Sequence, residues 1–196
     1  MKRFWLRWGL LGIGLSVLAG GAGEGEAAQI SSQYEKVKFY ECEEKEKGDT
    51  WIVRRCTMEK GPAIWFGHHE HGLVARLEPG VGNGAYQSDS DNFKPARSGH
   101  FGDPILDGEE RLTVEWRVKM QDGQWVPFAA IFRTGWADFS GSDGNGKPRQ
   151  RLQGIKFGEG HACEAVTVEA SVPDHNAVMR EKMDALVDVN PCPDVE

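Results

Sequence analysis

The chain has 196 residues, 23 basic and 30 acidic, giving a formal net charge of −7, with 39% hydrophobic and 27% charged residues. That length suits a single domain with a real core, and the composition excludes collagen, a coiled coil and a wholly disordered chain. The negative balance argues against nucleic acid or an anionic membrane surface as the main partner.

Residues 1–28 read as a secretory leader. Lys2, Arg3 and Arg7 make a positive start, Gly9 to Leu18 carry no charge, and small residues follow from Ala19 to Ala28. This is the three-part pattern of a signal peptide, with cleavage expected near Ala22, Ala27 or Ala28. The uncharged run falls short of the roughly 20 apolar residues that cross a bilayer. Residues 29–196 are therefore expected to form one exported, β-rich domain, periplasmic or secreted from a Gram-negative cell. Loss of the leader removes three basic and two acidic residues and leaves a net charge of −8.

All four cysteines, Cys42, Cys56, Cys163 and Cys192, lie beyond the leader. An even count in an exported chain predicts two disulfides, for which four cysteines allow three connectivities. Cys42–Cys56 and Cys163–Cys192 are the favoured pairs. The first brackets Lys47-Gly48-Asp49, a turn signal between two strand-like runs, so the thiols can meet across a hairpin. A zinc site built from these cysteines lacks the C-x-x-C spacing such sites use.

Strands are expected at Thr50 to Cys56, Ala63 to Phe66 and Leu73 to Leu77, separated by turn residues such as Gly61-Pro62. Between the last two lies Gly67-His68-His69-Glu70-His71-Gly72. Imidazole and carboxylate are the usual ligands of zinc, nickel and copper(II), so His68, His69 and His71 are candidate ligands for a divalent transition metal. In an extended stretch His69 and His71 would share one face. The competing reading is a polar hairpin turn between the flanking strands. No H-E-x-x-H motif occurs, so a zinc-protease mechanism has no support. Glu78 to Gly108 shows no periodicity and is long for a loop inside a compact domain.

The clearest strand signal is the alternation of Leu112, Val114, Trp116 and Val118 with Thr113, Glu115, Arg117 and Lys119. It predicts one face in the core and the other in water. Gln121-Asp122-Gly123 makes a turn, and Val126 to Trp136, apolar on both faces apart from Arg133, suits a central strand. Further strands are expected at Arg151 to Phe157 and Cys163 to Ala170. A helix follows, capped by Asp174 or Asn176. Met179, Met183, Leu186 and Val187 form its buried stripe, Arg180, Glu181, Lys182 and Asp184 face water, and Asn190-Pro191 ends it. The expected fold class is mainly β: an antiparallel sheet or sandwich with one C-terminal helix packed on it and two disulfides.

Other chemistry is sparse. The loops starting at Asp143 and Asp89 fail as calcium sites because Lys147 and Phe93 occupy the fifth position. No nucleophile elbow, P-loop or dinucleotide fingerprint is present. Trp125, beside a turn, is the tryptophan best placed to expose its ring for a ligand.

Several segments together resemble a group of small exported bacterial proteins, mainly alphaproteobacterial, that carry four cysteines and no assigned function. These are Trp51-Ile-Val-Arg-Arg-Cys56 followed by Gly61-Pro-Ala-Ile-Trp65, then Val114-Glu-Trp-Arg117, then Pro127-Phe-Ala-Ala-Ile-Phe-Arg133. Cys163 with a strand, a helix near His175-Asn-Ala177 and Cys192 complete the match, over about half of the mature chain. The resemblance implies export, a four-cysteine framework and a strand-then-helix ending, and no catalytic residue. The histidine turn departs from it, since the group has an acidic turn there.

The leading functional expectation is a non-catalytic periplasmic or secreted module that binds an envelope or extracellular component, without nucleic acid and without a stable membrane span. Divalent metal binding through His68, His69 and His71 is the alternative. An envelope hydrolase using His69 or His71 with Glu70 as general base is the second.

Overall fold

The computed structural model describes residues 28–69, 72–78, 100–101, 104–138, 147–158 and 161–189. The leader, Glu70, His71, most of the Glu78–Gly108 segment, the Asp89 and Asp143 loops and Cys192 therefore fall largely or wholly outside the described residues.

Among the described residues ten strands and one α-helix follow in order: β1 (Ile30–Lys38), β2 (Glu43–Lys47), β3 (Trp51–Cys56), β4 (Ile64–His69), β5 (Gly72–Leu77), β6 (His100–Phe101), β7 (Arg111–Gln121), β8 (Gln124–Asp138), β9 (Lys147–Gly158), β10 (His161–Glu169) and α1 (His175–Asp184). One sheet has the order β1-β7-β8-β9-β10 and the other β2-β3-β4-β5-β6. Pairing among the described strands is antiparallel throughout. No helix among the described residues is long and apolar enough to cross a membrane.

Three layers result, with two apolar cores. Leu112, Val114, Trp116 and Val118 of β7 pack with Ile64 and Phe66 of β4, Ala75 and Leu77 of β5, Phe132 of β8 and Ile155 of β9. This joins the two sheets face to face. On the outer face of the first sheet, Phe128, Ala129, Ile131, Leu152 and Val168 pack under Met179 and Met183 of α1. Strand β8 supplies both cores, as expected of an apolar-on-both-faces strand. The β7–β8 hairpin closes on Asp122 and Gly123, both at positive φ (51° and 77°), the primed-turn geometry that suits strand twist.

Close approach explains two glycines. A Cβ built on Gly61 lies 2.5 Å from the Trp116 ring, whereas one on Gly154 lies 2.5 Å from the Met183 sulfur. The indole is wedged in the sandwich core, but a thioether can swing aside. Gly61→Ala is expected to cost about 1–3 kcal/mol by overpacking, and Gly154→Ala less, as read from urea unfolding midpoints at constant m-value.

Cys42 and Cys56 are bonded, their Cα atoms 4.8 Å apart, at the open end of the β2–β3 hairpin. No cysteine among the described residues is free.

The second face of β7 departs from expectation. Glu115 and Arg117 do not meet water: α1 covers them, and Arg117 is only 5% exposed. Arg117 grips Asp184 through Nε and Nη2 at 2.8 and 2.6 Å and donates Nη1 to Ser32 of β1. Ser32 Oγ donates to Glu115 at 2.6 Å, and Arg180 grips Glu115 at 2.6 and 3.2 Å while donating to the Tyr34 hydroxyl at 2.8 Å. Arg180 and Asp184, expected in solvent, therefore dock the helix on the sheet. Met179 and Met183 are fully buried as expected, but the helix ends at Asp184 and not at Asn190-Pro191, so Leu186 and Val187 pack beside them from the turns that follow. Asp174 stands at the cap position in a left-handed conformation (φ 52°), without a side-chain capping bond.

Burial would raise the Glu115 carboxyl, but the Arg180, Ser32 and Tyr34 partners outweigh it and hold it below its ordinary value. At Asp107, desolvation is likewise overcome by the Arg111 and Glu109 amides, Lys36 and the Arg111 guanidinium, which hold its carboxyl well below the usual range. A folded pKa below the unfolded value of about 4 means a stabilising contribution complete above that pH and lost as pH falls through the folded value. Unfolding free energy is thus expected to fall below pH 5. Glu115→Gln should flatten that acid limb while lowering stability at neutral pH, measured by urea titrations from pH 7 to 2.5.

Candidate functional site

A groove opens where β8 leaves β9. Pairing of β8 with β7 shifts register between Arg117 and Val118, with Ala129 opposite Arg117 and Pro127 opposite Val118. Phe128 is the extra residue of this bulge, and proline, which has no N–H to donate, is tolerated at such a position. The β8–β9 ladder ends at Ala129–Lys156, while β9 stays paired with β10 through Gly158. The two strands separate there, and the turns after α1 cross the gap, held by Leu186, Val187 and Val189 amides that donate to Met183, Asp184 and Leu186 carbonyls.

The resulting cavity has a volume of about 720 Å³. Val126, Pro127 and Phe128 of β8, Phe157 of β9, and Val187 and Val189 after α1 line it, Phe128 belonging to the core under the helix and Phe157 to the core between the sheets. Val126 and Val189, 37% and 50% exposed, are two of the few large apolar side chains that meet solvent among the described residues. Trp125, next to Val126 at the hairpin tip, is 38% exposed, in line with the sequence expectation.

Two lysines polarise the groove. Lys156 is 7% exposed; its Nζ donates to the Val187 carbonyl at 3.0 Å and sits 4.7 Å from the centre of the Phe128 ring. Burial, reinforced by Lys119 and opposed by Asp188, lowers its pKa from the ordinary value. Lys119 pairs with Asp188 at 3.2 Å on the rim, where Asp188 is mostly exposed. The arrangement sets Lys119, Lys156 and Asp188 beside apolar side chains. It presents no paired nucleophile and base among these lining residues.

The histidine turn lies elsewhere, at the tip of the second sheet. β4 ends at His69 and β5 begins at Gly72, with His69 opposite Gly72 and His68 opposite Leu73. The segment thus closes a hairpin instead of running on as one extended strand. His68 is exposed, with its ring 5.8 Å from Phe39, edge to face. Glu70 and His71 lie outside the described residues, as does the His69 side chain. Among the described residues no group of three or more metal-ligating side chains comes together.

Sequence reasoning passed over Lys119, Lys156, Phe128 and Val189. One signal was available: Pro127 inside a central strand implies a bulge, and bulges open sheets next to functional sites. No family model, curated protein or solved structure matches the chain.

Proposed function

We propose that the protein is an exported, non-catalytic binding module that takes a ligand of the cell envelope or its surroundings in the groove between β8, β9 and the turns after α1. The observation that carries this reading is the groove itself: about 720 Å³, lined in part by the exposed Val126 of β8 and Val189 after α1. Its volume falls in the range of roughly 300–1,000 Å³ typical of small-molecule sites. The bulged sheet and the docked helix hold its walls in place, so little ordering entropy would oppose binding.

Export is supported by the leader-like residues 1–28, by the Cys42–Cys56 bond and by the resemblance to small exported four-cysteine proteins. The same reading pairs Cys163 with Cys192.

The test uses a neutral fluorescent probe, N-phenyl-1-naphthylamine, with the exported and disulfide-intact protein. Saturable enhancement is expected, and Val126→Asp with Val189→Asp should reduce it at least tenfold, because a charge would then line each wall. Both positions are exposed, so the variants should fold. Equal enhancement in the variant would place probe binding elsewhere and defeat the proposal.

A further inference from the structure

We infer that the gap between β8 and β9 receives an extended segment of a partner protein, which adds as a strand along Trp125 and Pro127 and sets side chains against Phe128 on one face and Phe157 on the other. The inference rests on the proposed binding role and names the class of ligand.

Backbone geometry carries the first part of the argument. In the β7–β8 hairpin Gln121 and Gln124 face each other across the two-residue turn at Asp122 and Gly123. Such a flanking pair exchanges its backbone bonds, and the next pair, Met120 and Trp125, points its groups outward. The Met120 amide does so, donating to the Gln29 carbonyl at 2.9 Å on the β1 side. Trp125 therefore turns its N–H and C=O away from β7, to the side on which β9 lies, and Pro127 turns its carbonyl the same way. On β9, the Gln150 carbonyl accepts the Ala170 amide at 2.9 Å on the β10 side. Counting in twos along β9 turns the backbone of Phe157 toward β8. The β8–β9 ladder ends at Ala129–Lys156, short of all three residues.

The outer edges of the sheets are built differently. On β1 the Tyr34 carbonyl is capped by the Lys60 ammonium at 2.7 Å. Edge strand β2 consists of Glu43, Glu44, Lys45, Glu46 and Lys47, with a register shift after Glu44. Charges and bulges of this kind keep sheet edges from taking up foreign strands. In the gap, Pro127 withdraws one donor from β8 and leaves two carbonyls beside the Trp125 amide, so an incoming backbone acts there mainly as a donor.

The two aromatic rings carry the last part. Phe128 belongs to the core under the helix and Phe157 to the core between the sheets, so the cavity of about 720 Å³ is bordered from both faces of the sheet. A strand, whose successive side chains point to opposite faces, reaches both. Strand addition draws affinity from main-chain hydrogen bonds and specificity from alternate side chains, which here meet apolar surface on each face.

The experiment titrates the exported, disulfide-intact protein with a neutral heptapeptide of alternating threonine and valine, blocked at both ends. A second copy of the peptide is N-methylated at every amide, which keeps the side chains and removes the donors. The unmethylated peptide is expected to displace N-phenyl-1-naphthylamine and to slow hydrogen exchange of the Trp125 amide at least tenfold. The methylated peptide should bind at least tenfold more weakly and leave that exchange unchanged, as should the naphthylamine alone. The change is carried by the peptide, so no variant of the protein has to fold. Equal binding of the two peptides, or no slowing at Trp125, would overturn the inference. Slow exchange at Trp125 before any peptide is added would also overturn it, meaning that the chain's own residues fill the gap, or a second copy if the slowing depends on protein concentration. If the naphthylamine still binds the groove in those cases, the binding role stands and only the ligand class falls; if it also fails, both fall.

Discussion

Arg117→Met is expected to destabilise the protein by about 3 kcal/mol, the low end of the 3–5 kcal/mol typical when one partner of a buried ion pair is removed. The guanidinium is the hub between sheet and helix, bonded to Asp184 and Ser32 and 3.8 Å from Glu115. Removing it strands Asp184, but that side chain is about a third exposed and can recover water, which argues for the low end. Glu115 keeps Arg180. Adding Asp184→Leu should recover part of the loss, because the pair would then be replaced by apolar contact instead of broken. Urea unfolding of the single and double variants measures both effects. A loss under 1 kcal/mol would mean that the network is hydrated and does not dock the helix.

Trp116→Ala should cost more, about 4–5 kcal/mol, near the top of the range for a large aromatic truncated in a core. The indole is fully buried and meets Phe157 edge to face with ring centres 6.1 Å apart. Its N–H donates at 3.1 Å to Glu35, whose carboxylate also receives the Glu59 and Lys60 amides. Truncation thus opens a cavity between the sheets and loosens the carboxylate that ties β1 to the segment before β4. Trp116→Phe separates the two contributions, since it keeps much of the ring and loses the N–H. Its expected cost is under half that of alanine, read from thermal unfolding with calorimetric enthalpies. Equal costs would mean that the hydrogen bond, not the packing, dominates.

These positions also show what the sequence discloses and what it conceals. The β7–β8 hairpin is legible because a period of two meets an Asp-Gly turn, and the helix because Met179 and Met183 recur at helical spacing. The Cys42–Cys56 bond is legible because its cysteines flank a turn. Alternation alone, however, does not distinguish a face in water from a face under a second layer that brings complementary charge. Glu115 and Arg117 read as solvated for that reason, and so do Arg180 and Asp184, which meet them. Strand β1 escaped because Ser31, Ser32, Gln33 and Lys36 give an edge strand little apolar pattern; its place rests on Ser32, Tyr34 and Glu35 binding partners far away in sequence. The groove arises from separation of two strands after a bulge, a tertiary event marked in the sequence only by Pro127.

The central claim, that this groove is the site of binding, is tested most directly by amide chemical-shift mapping of the exported protein titrated with N-phenyl-1-naphthylamine. The account predicts saturable shifts concentrated at residues 119–121, 126–128, 156–158 and 187–189, with His68 and His69 unmoved. Shifts centred on the histidine hairpin, or none at saturating ligand, would contradict it.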